Sequence, residues 1–141
     1  ALEELVAAIF AAIPGFEVIK RNVTTETEEI DVAVWNNGTD SKWSRESELI
    51  LIECKNWHSQ KVGKNEFVIF RQKLLNRAGR ARLGFLVCTG TFAETAELEK
   101  LRMSQDMTLV VLIDGAGLQK LVESRDRGAV LREMVTGAAM T

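Results

Sequence analysis

Residues 49–52, Leu-Ile-Leu-Ile, leave this chain the least freedom. Successive residues of a strand point to opposite faces, so four large aliphatic side chains in a row demand apolar cover on both sides of the sheet they join. Such a strand belongs inside a sheet, and the other elements have to supply one layer above it and one below. The chain has 141 residues, enough for one domain with a substantial core and too few for two independent ones. A single sheet with helices on both faces meets both conditions.

The remaining pattern supplies those elements. Leu2, Leu5, Val6, Ile9, Phe10 and Ile13 recur at three- and four-residue spacing, which predicts an opening amphipathic helix ended by Pro14-Gly15. Residues 16–23 and 29–35 read as strands, and Asn36-Asn37-Gly38 is a turn signal. The polar stretch from residue 36 to 46 is longer than a tight hairpin needs, and residues 48–55 form the third strand. A helix is expected over residues 63–78 with Phe67, Phe70, Leu74 and Ala78 as its apolar stripe. Residues 83–89 read as a fourth strand, 93–103 as a helix and 109–113 as a fifth strand, and Gly115 and Gly117 lead into one or two closing helices. The order αβββαβαβα predicts an α/β fold. Its mixed β-sheet starts as an antiparallel meander, continues with crossover strands and is flanked by helices.

No apolar run approaches the ~20 residues that span a bilayer, and Glu3 and Glu4 do not fit the basic start of a signal peptide. The expectation is a cytoplasmic protein with no membrane role. Because the chain starts at Ala1, it is read as a piece of a longer protein with additional domains. Cys54 and Cys88 lie inside apolar runs, outside any Cys-x-x-Cys pair, and one histidine leaves too few soft ligands for zinc. Both are expected to be reduced core residues. The net charge of −2 hides an asymmetry. Between Lys55 and Arg82 eight basic residues face Glu66 alone, so this block carries +7 and the rest of the chain −9. A positive block on an acidic body can hold a phosphate backbone, although a solvated helix face is the commoner origin of such a run.

Glu53 and Lys55, two apart, share one face at the end of the third strand, beyond its apolar run. Asp31 interrupts the apolar alternation of the second strand, where a lone buried charge costs several kcal/mol unless it is paired or bound to metal. If the two strands are neighbours, Asp31 and Glu53 converge on one hard divalent cation such as Mg²⁺, and Lys55 stands ready to orient water and offset charge on a phosphate. Glu-x-Lys alone also arises by chance as a cross-strand ion pair. On the first helix, Glu3 lies at the edge of the apolar stripe and can reach along the sheet, whereas Glu4 faces water.

The complete ordered set of segments resembles the PD-(D/E)xK nuclease superfamily, most closely its Mrr-like restriction endonuclease branch. LEELVAAI lies on the opening helix, GFEVIK on a strand, EIDVAVW around the Asp and LILIECKNW around Glu-x-Lys. KVGKNEF opens the next helix, and GFLVCTGTFAETA and LVVLIDGAGLQKLV follow, so that the likeness covers residues 2–122. The stretch TTETEE before Asp31 departs from the glycine-rich approach of many relatives. The resemblance implies a restriction-endonuclease-like fold in one nuclease domain, residues 1–141. It further implies an endodeoxyribonuclease of restriction or defence type that depends on Mg²⁺ or Mn²⁺ and hydrolyses phosphodiester bonds. By the same likeness Asp31 and Glu53 are metal ligands, with the Cys54 main-chain carbonyl as a third, Lys55 is the catalytic lysine and Glu3 matches the helix glutamate.

DNA is the expected partner, and a homodimer stays open. Lys61, Lys64, Arg71, Gln72, Arg77 and Arg80 are weaker candidates for DNA contacts, as are Trp43, Ser44 and Arg45 at the tip of the long loop. An exposed Trp43 would equally suit packing on a further domain. Trp57 and His58 follow the lysine and are candidates to line the DNA groove, the alternative being a rim aromatic and a solvated histidine, which is preferred for His58. Thr89 and Thr91 read as a turn rather than as phosphate contacts. Two other functions fit the same pattern: a structure-specific nuclease, resembling a Holliday-junction resolvase or repair enzyme, and a nucleic-acid-binding module without turnover.

Overall fold

Five strands, β1 (Phe16–Thr24), β2 (Glu29–Asn36), β3 (Leu49–Lys55), β4 (Leu83–Cys88) and β5 (Leu109–Ile113), lie side by side in chain order. The structure, a computed structural model, describes residues 1–24 and 29–141, with the backbone alone for residues 20–24. The TTETEE approach to Asp31 falls largely outside the described residues. β1–β2 and β2–β3 pair antiparallel, whereas β3–β4 and β4–β5 pair parallel. The parallel pairs need crossovers, which α2 (Lys64–Leu75) and α3 (Glu94–Arg102) provide. α1 (Leu2–Ala11) precedes the sheet, and the closing segment forms two helices, α4 (Gly115–Glu123) and α5 (Arg127–Ala139).

β3 is the middle strand, and its aliphatic run feeds two cores. Ile50, Ile52 and Cys54 pack with Phe10, Leu121 and Leu131 on the side of α1, α4 and α5, while Leu51 packs with Phe67, Phe70 and Leu74 of α2 on the other. Glu53 and Lys55, in phase with Leu51, therefore face the α2 side. Gly84 of β4 lets α2 come close: a Cβ there would stand 2.7 Å from Leu74 Cδ1 and 2.8 Å from Phe70 Cζ.

Three expectations need correction. α2 stops at Leu75, and Ala78 leaves the stripe for an exposed turn with a positive φ of 59°, followed by Gly79 in the same left-handed region. Leu5 is exposed, because the stripe of α1 runs through Leu2, Val6, Ile9 and Phe10. Trp43 is not a loop-tip aromatic but is 1% exposed, with its ring edge-on to Phe16 at 5.0 Å. The loop folds back because the buried Asn36 side chain donates to the carbonyls of Trp43, at 2.8 Å, and Ser47, at 3.3 Å. Among the described residues no helix is long and apolar enough to cross a membrane.

Candidate active site

The β2–β3 ladder runs from Trp35↔Leu49 to Val32↔Ile52 and stops. One further step would set Asp31 opposite Glu53, and two facing carboxylates repel. Instead Asp31 Oδ2 accepts the Cys54 backbone N–H at 2.8 Å, taking the place of a ladder partner. β3 stays paired with β4 as far as Lys55↔Cys88. The strands thus leave a notch at the C-terminal end of β3, in which Asp31, Glu53 and Lys55 come together.

Glu53 is 4% exposed, and burying its charge without a partner would cost several kcal/mol. Two ammonium groups meet it: Lys73 Nζ donates to Oε1 at 2.6 Å, and Lys55 Nζ lies 3.4 Å from Oε2. Lys73 was missed as a site residue by sequence reasoning, which counted it only in the basic block. The available signal was its place at the edge of the α2 stripe, three residues after the buried Phe70. A helical side chain leans toward its helix N-terminus, which here carries the Lys73 amine back along β3.

Lys55 is half-buried and sits 5.5 Å from the ring centroid of Trp57. Trp57 is held from behind, since its carbonyl abuts Gly90 so closely that any Cβ at that position would collide with it. Burial holds the Asp31 carboxyl above its ordinary range; the Cys54 N–H works against this, the Glu53 charge adds to it, Lys73 offsets it and Glu3 adds to it more weakly. Glu3 on α1 therefore acts on the notch through its field. Burial pushes the Cys54 thiol well above its usual value, and its side chain belongs to the apolar core of the α1 side, so it offers no thiolate ligand.

Among the described residues no three His, Cys, Asp or Glu side chains form a ligand cluster. The donor set still fits one kind of ion. Two carboxylates, one with its pKa raised partly by the other, suit a hard cation that takes one or two carboxylates and keeps several waters, as Mg²⁺ does.

The other candidates scatter. Lys61 and Lys64 are exposed on the connection that leaves Lys55 and at the first turn of α2; Lys64 Nζ lies 3.9 Å from Glu99. Arg71 turns inward and pairs with Asp106, and its side chain is only 17% exposed. Gln72 is exposed and donates to Asn76 Oδ1 at 2.9 Å. Arg77 Nε donates to the Lys73 carbonyl at 3.0 Å. Arg80 is exposed, and its carbonyl accepts from Leu49 N–H, which places it at the end of β3 away from Lys55. Ser44, Arg45 and His58 are exposed, and so is Thr91, whose carbonyl accepts the Val62 N–H. Thr89 Oγ1 donates to Asn56 Oδ1 at 3.1 Å.

A mixed sheet whose central strand ends in this carboxylate–lysine notch defines a restriction-endonuclease-like nuclease fold. The chain matches the Mrr_cat family, described as restriction endonuclease, over residues 1–122, and it belongs to that family. Among solved structures it is similar to a protein of unknown function, AF1548, at 20% identity and a TM-score of 0.62, covering 98% of this chain and 77% of that one. It is also similar to a repair endonuclease from Pyrococcus abyssi, at 16% identity and a TM-score of 0.51, covering 79% of this chain and 45% of that one. A complex of EndoMS with dsDNA shows 15% identity and a TM-score of 0.51, covering 81% and 44%. The chain thus spans less than half the length of the latter two proteins. No match was found among curated proteins.

Proposed function

We propose that this domain is a divalent-metal-dependent endonuclease of restriction or defence type that hydrolyses DNA phosphodiester bonds. The observation that carries this reading is the meeting of Asp31, Glu53 and Lys55 in one notch, in a chain of the restriction endonuclease family. DNA as the substrate class also draws support from the dsDNA bound in the EndoMS structure of the same fold. Asp31 and Glu53, with the Cys54 main-chain carbonyl as a third ligand, are the groups to hold Mg²⁺ or Mn²⁺. Such an ion supplies Lewis acidity and a bound water of lowered pKa. Lys55 orients the attacking water and offsets negative charge that builds on the phosphate. Trp57 keeps the Lys55 amine at the notch, and Glu3 adds negative field that favours a cation there. Lys61 and Lys64 offer phosphate contacts beside the site.

The test incubates supercoiled plasmid, branched DNA and RNA with Mg²⁺, Mn²⁺ or excess chelator. Plasmid should be nicked or linearised with either metal and remain intact in chelator. Undiminished cutting in chelator refutes metal dependence. Cutting confined to branched DNA moves the reading to a structure-specific nuclease, and binding without cutting moves it to a recognition module.

A further inference from the structure

Lys73 is a third charged group in the notch, with a geometry that the proposed chemistry leaves unused. Its ammonium contacts Glu53 Oε1 at 2.6 Å, closer than Lys55 stands to Oε2, and its side chain is 14% exposed against 29% for Lys55. It is therefore the more deeply placed of the two lysines. Among the described residues the other buried carboxylate, Glu99, shows what an ordinary arrangement looks like here: its cations, Lys64 and Arg102, stand at 3.9 and 3.5 Å and are mostly exposed. Lys73 also reaches Asp31 through its field, opposing the effects of burial and of Glu53. One amine thus offsets both carboxylates assigned to the metal.

We propose that Lys73 is the built-in counter-ion of the metal site: it neutralises the Asp31–Glu53 pair while the protein is metal-free, and the divalent cation competes with it for Glu53. This rests on the reading of Asp31 and Glu53 as metal ligands. Physically, two part-buried carboxylates without a cation would push the strand ends apart, and an unpaired buried charge is among the most destabilising features a fold can hold. A lysine from the facing helix supplies the compensating charge without closing the site, because its flexible stem lets the amine withdraw. The arrangement trades metal affinity for a fold that does not depend on metal.

Lys73→Met and Lys73→Arg separate this role from simple packing. In chelator, Lys73→Met should lower Tm by a few degrees, since it removes the closer and more deeply placed of the two ammonium groups and leaves Glu53 only Lys55 at 3.4 Å, and Lys73→Arg should lose much less. Calorimetric titration with Mn²⁺ should show tighter binding to Lys73→Met than to the parent. Saturating Mn²⁺ should restore more Tm to the variant than it adds to the parent. In a Glu53→Gln background the Lys73→Met loss should largely vanish, since the two changes remove one interaction. Lys73→Gln replaces Lys73→Met in all arms if the latter does not fold.

If the parent binds Mn²⁺ and the variant binds it no more tightly, the competition is overturned while the nuclease reading stands. An unchanged Tm in chelator overturns the counter-ion role. If Mn²⁺ gives neither heat nor a Tm shift with the parent, the metal site fails and this proposal falls with it.

Discussion

Arg132 stands 5.4 Å from the ring of Trp43, and Lys55 stands 5.5 Å from the ring of Trp57. The two pairs lie at opposite ends of the sheet: Trp43 packs by Phe16 at the start of β1, and Lys55 closes β3. At the first end the indole is buried and the single cation meets a single anion, Glu46, at 3.0 Å. There the cation is answered by one close anion and the indole serves packing. At the other end two lysines and two carboxylates share a notch, Lys55 is half-buried, and Asp31 is held away from its ordinary pKa. A cation over a tryptophan thus says nothing of function by itself. Two carboxylates gathered at one strand end, one of them with a raised pKa, do, since perturbed groups gather where a protein keeps chemistry ready.

The largest expected effect tests the closed end. Trp43→Ala should cost about 3–5 kcal/mol, the usual range for deleting a large buried aromatic, read as a lower midpoint in a urea melt. Cleavage per folded molecule should not change. A loss of cleavage beyond the loss of folded protein would mean that the two ends are coupled, and would break the contrast.

How much of each end was legible follows from the same contrast. Asp31, Glu53 and Lys55 were visible because strand alternation fixes facing and because adjacent strands joined by a loop pair antiparallel. The αβββαβαβ order was visible for a similar reason, as period and turn residues are local signals. Trp43 was misjudged because its surroundings were polar in sequence. What covers it is Phe16 and Arg132, from distant segments, with the loop pinned by the Asn36 amide. Lys73 and Arg71 flank the α2 stripe on either side, and only the lie of α2 across the sheet decides that one meets Glu53 and the other Asp106. The basic block looked like one face in sequence, yet Lys61 and Arg80 fall at opposite ends of β3.

Next in size is the open end. Lys55→Ala should lower turnover by about a hundredfold or more, on the scale of losing one electrostatic or acid–base group, which corresponds to about 2.7 kcal/mol. Glu53 keeps Lys73, so the Tm in chelator should stay near that of the parent. Single-turnover plasmid cleavage beside a thermal melt reads both. Cutting at the parent rate would reduce Lys55 to an ion-pair partner and make the two ends alike.

The smallest effect, absent at neutral pH, asks how dry the core is directly beneath the open end. Cys88 pairs in register with Lys55, its side chain is buried in the α2-side core, and burial pushes its thiol up to about 11 from 9.0. A group whose folded pKa is raised gives stability that is intact below its unfolded value and is lost as pH climbs through the folded one. The thiol should therefore cost nothing up to pH 9.0 and destabilise progressively from there toward about 11. Lysines titrate in the same range, so the readout is the difference between parent and Cys88→Ala urea midpoints across that window, which should widen in favour of the variant as pH rises. At pH 9, ionisation alone leaves roughly fifty-fold less thiolate on native Cys88 than on the unfolded chain, and thiol labelling should slow by at least that factor. Labelling as fast as in denaturant would mean that water reaches behind Lys55, and the open end would then be loose rather than a notch cut into a dry core.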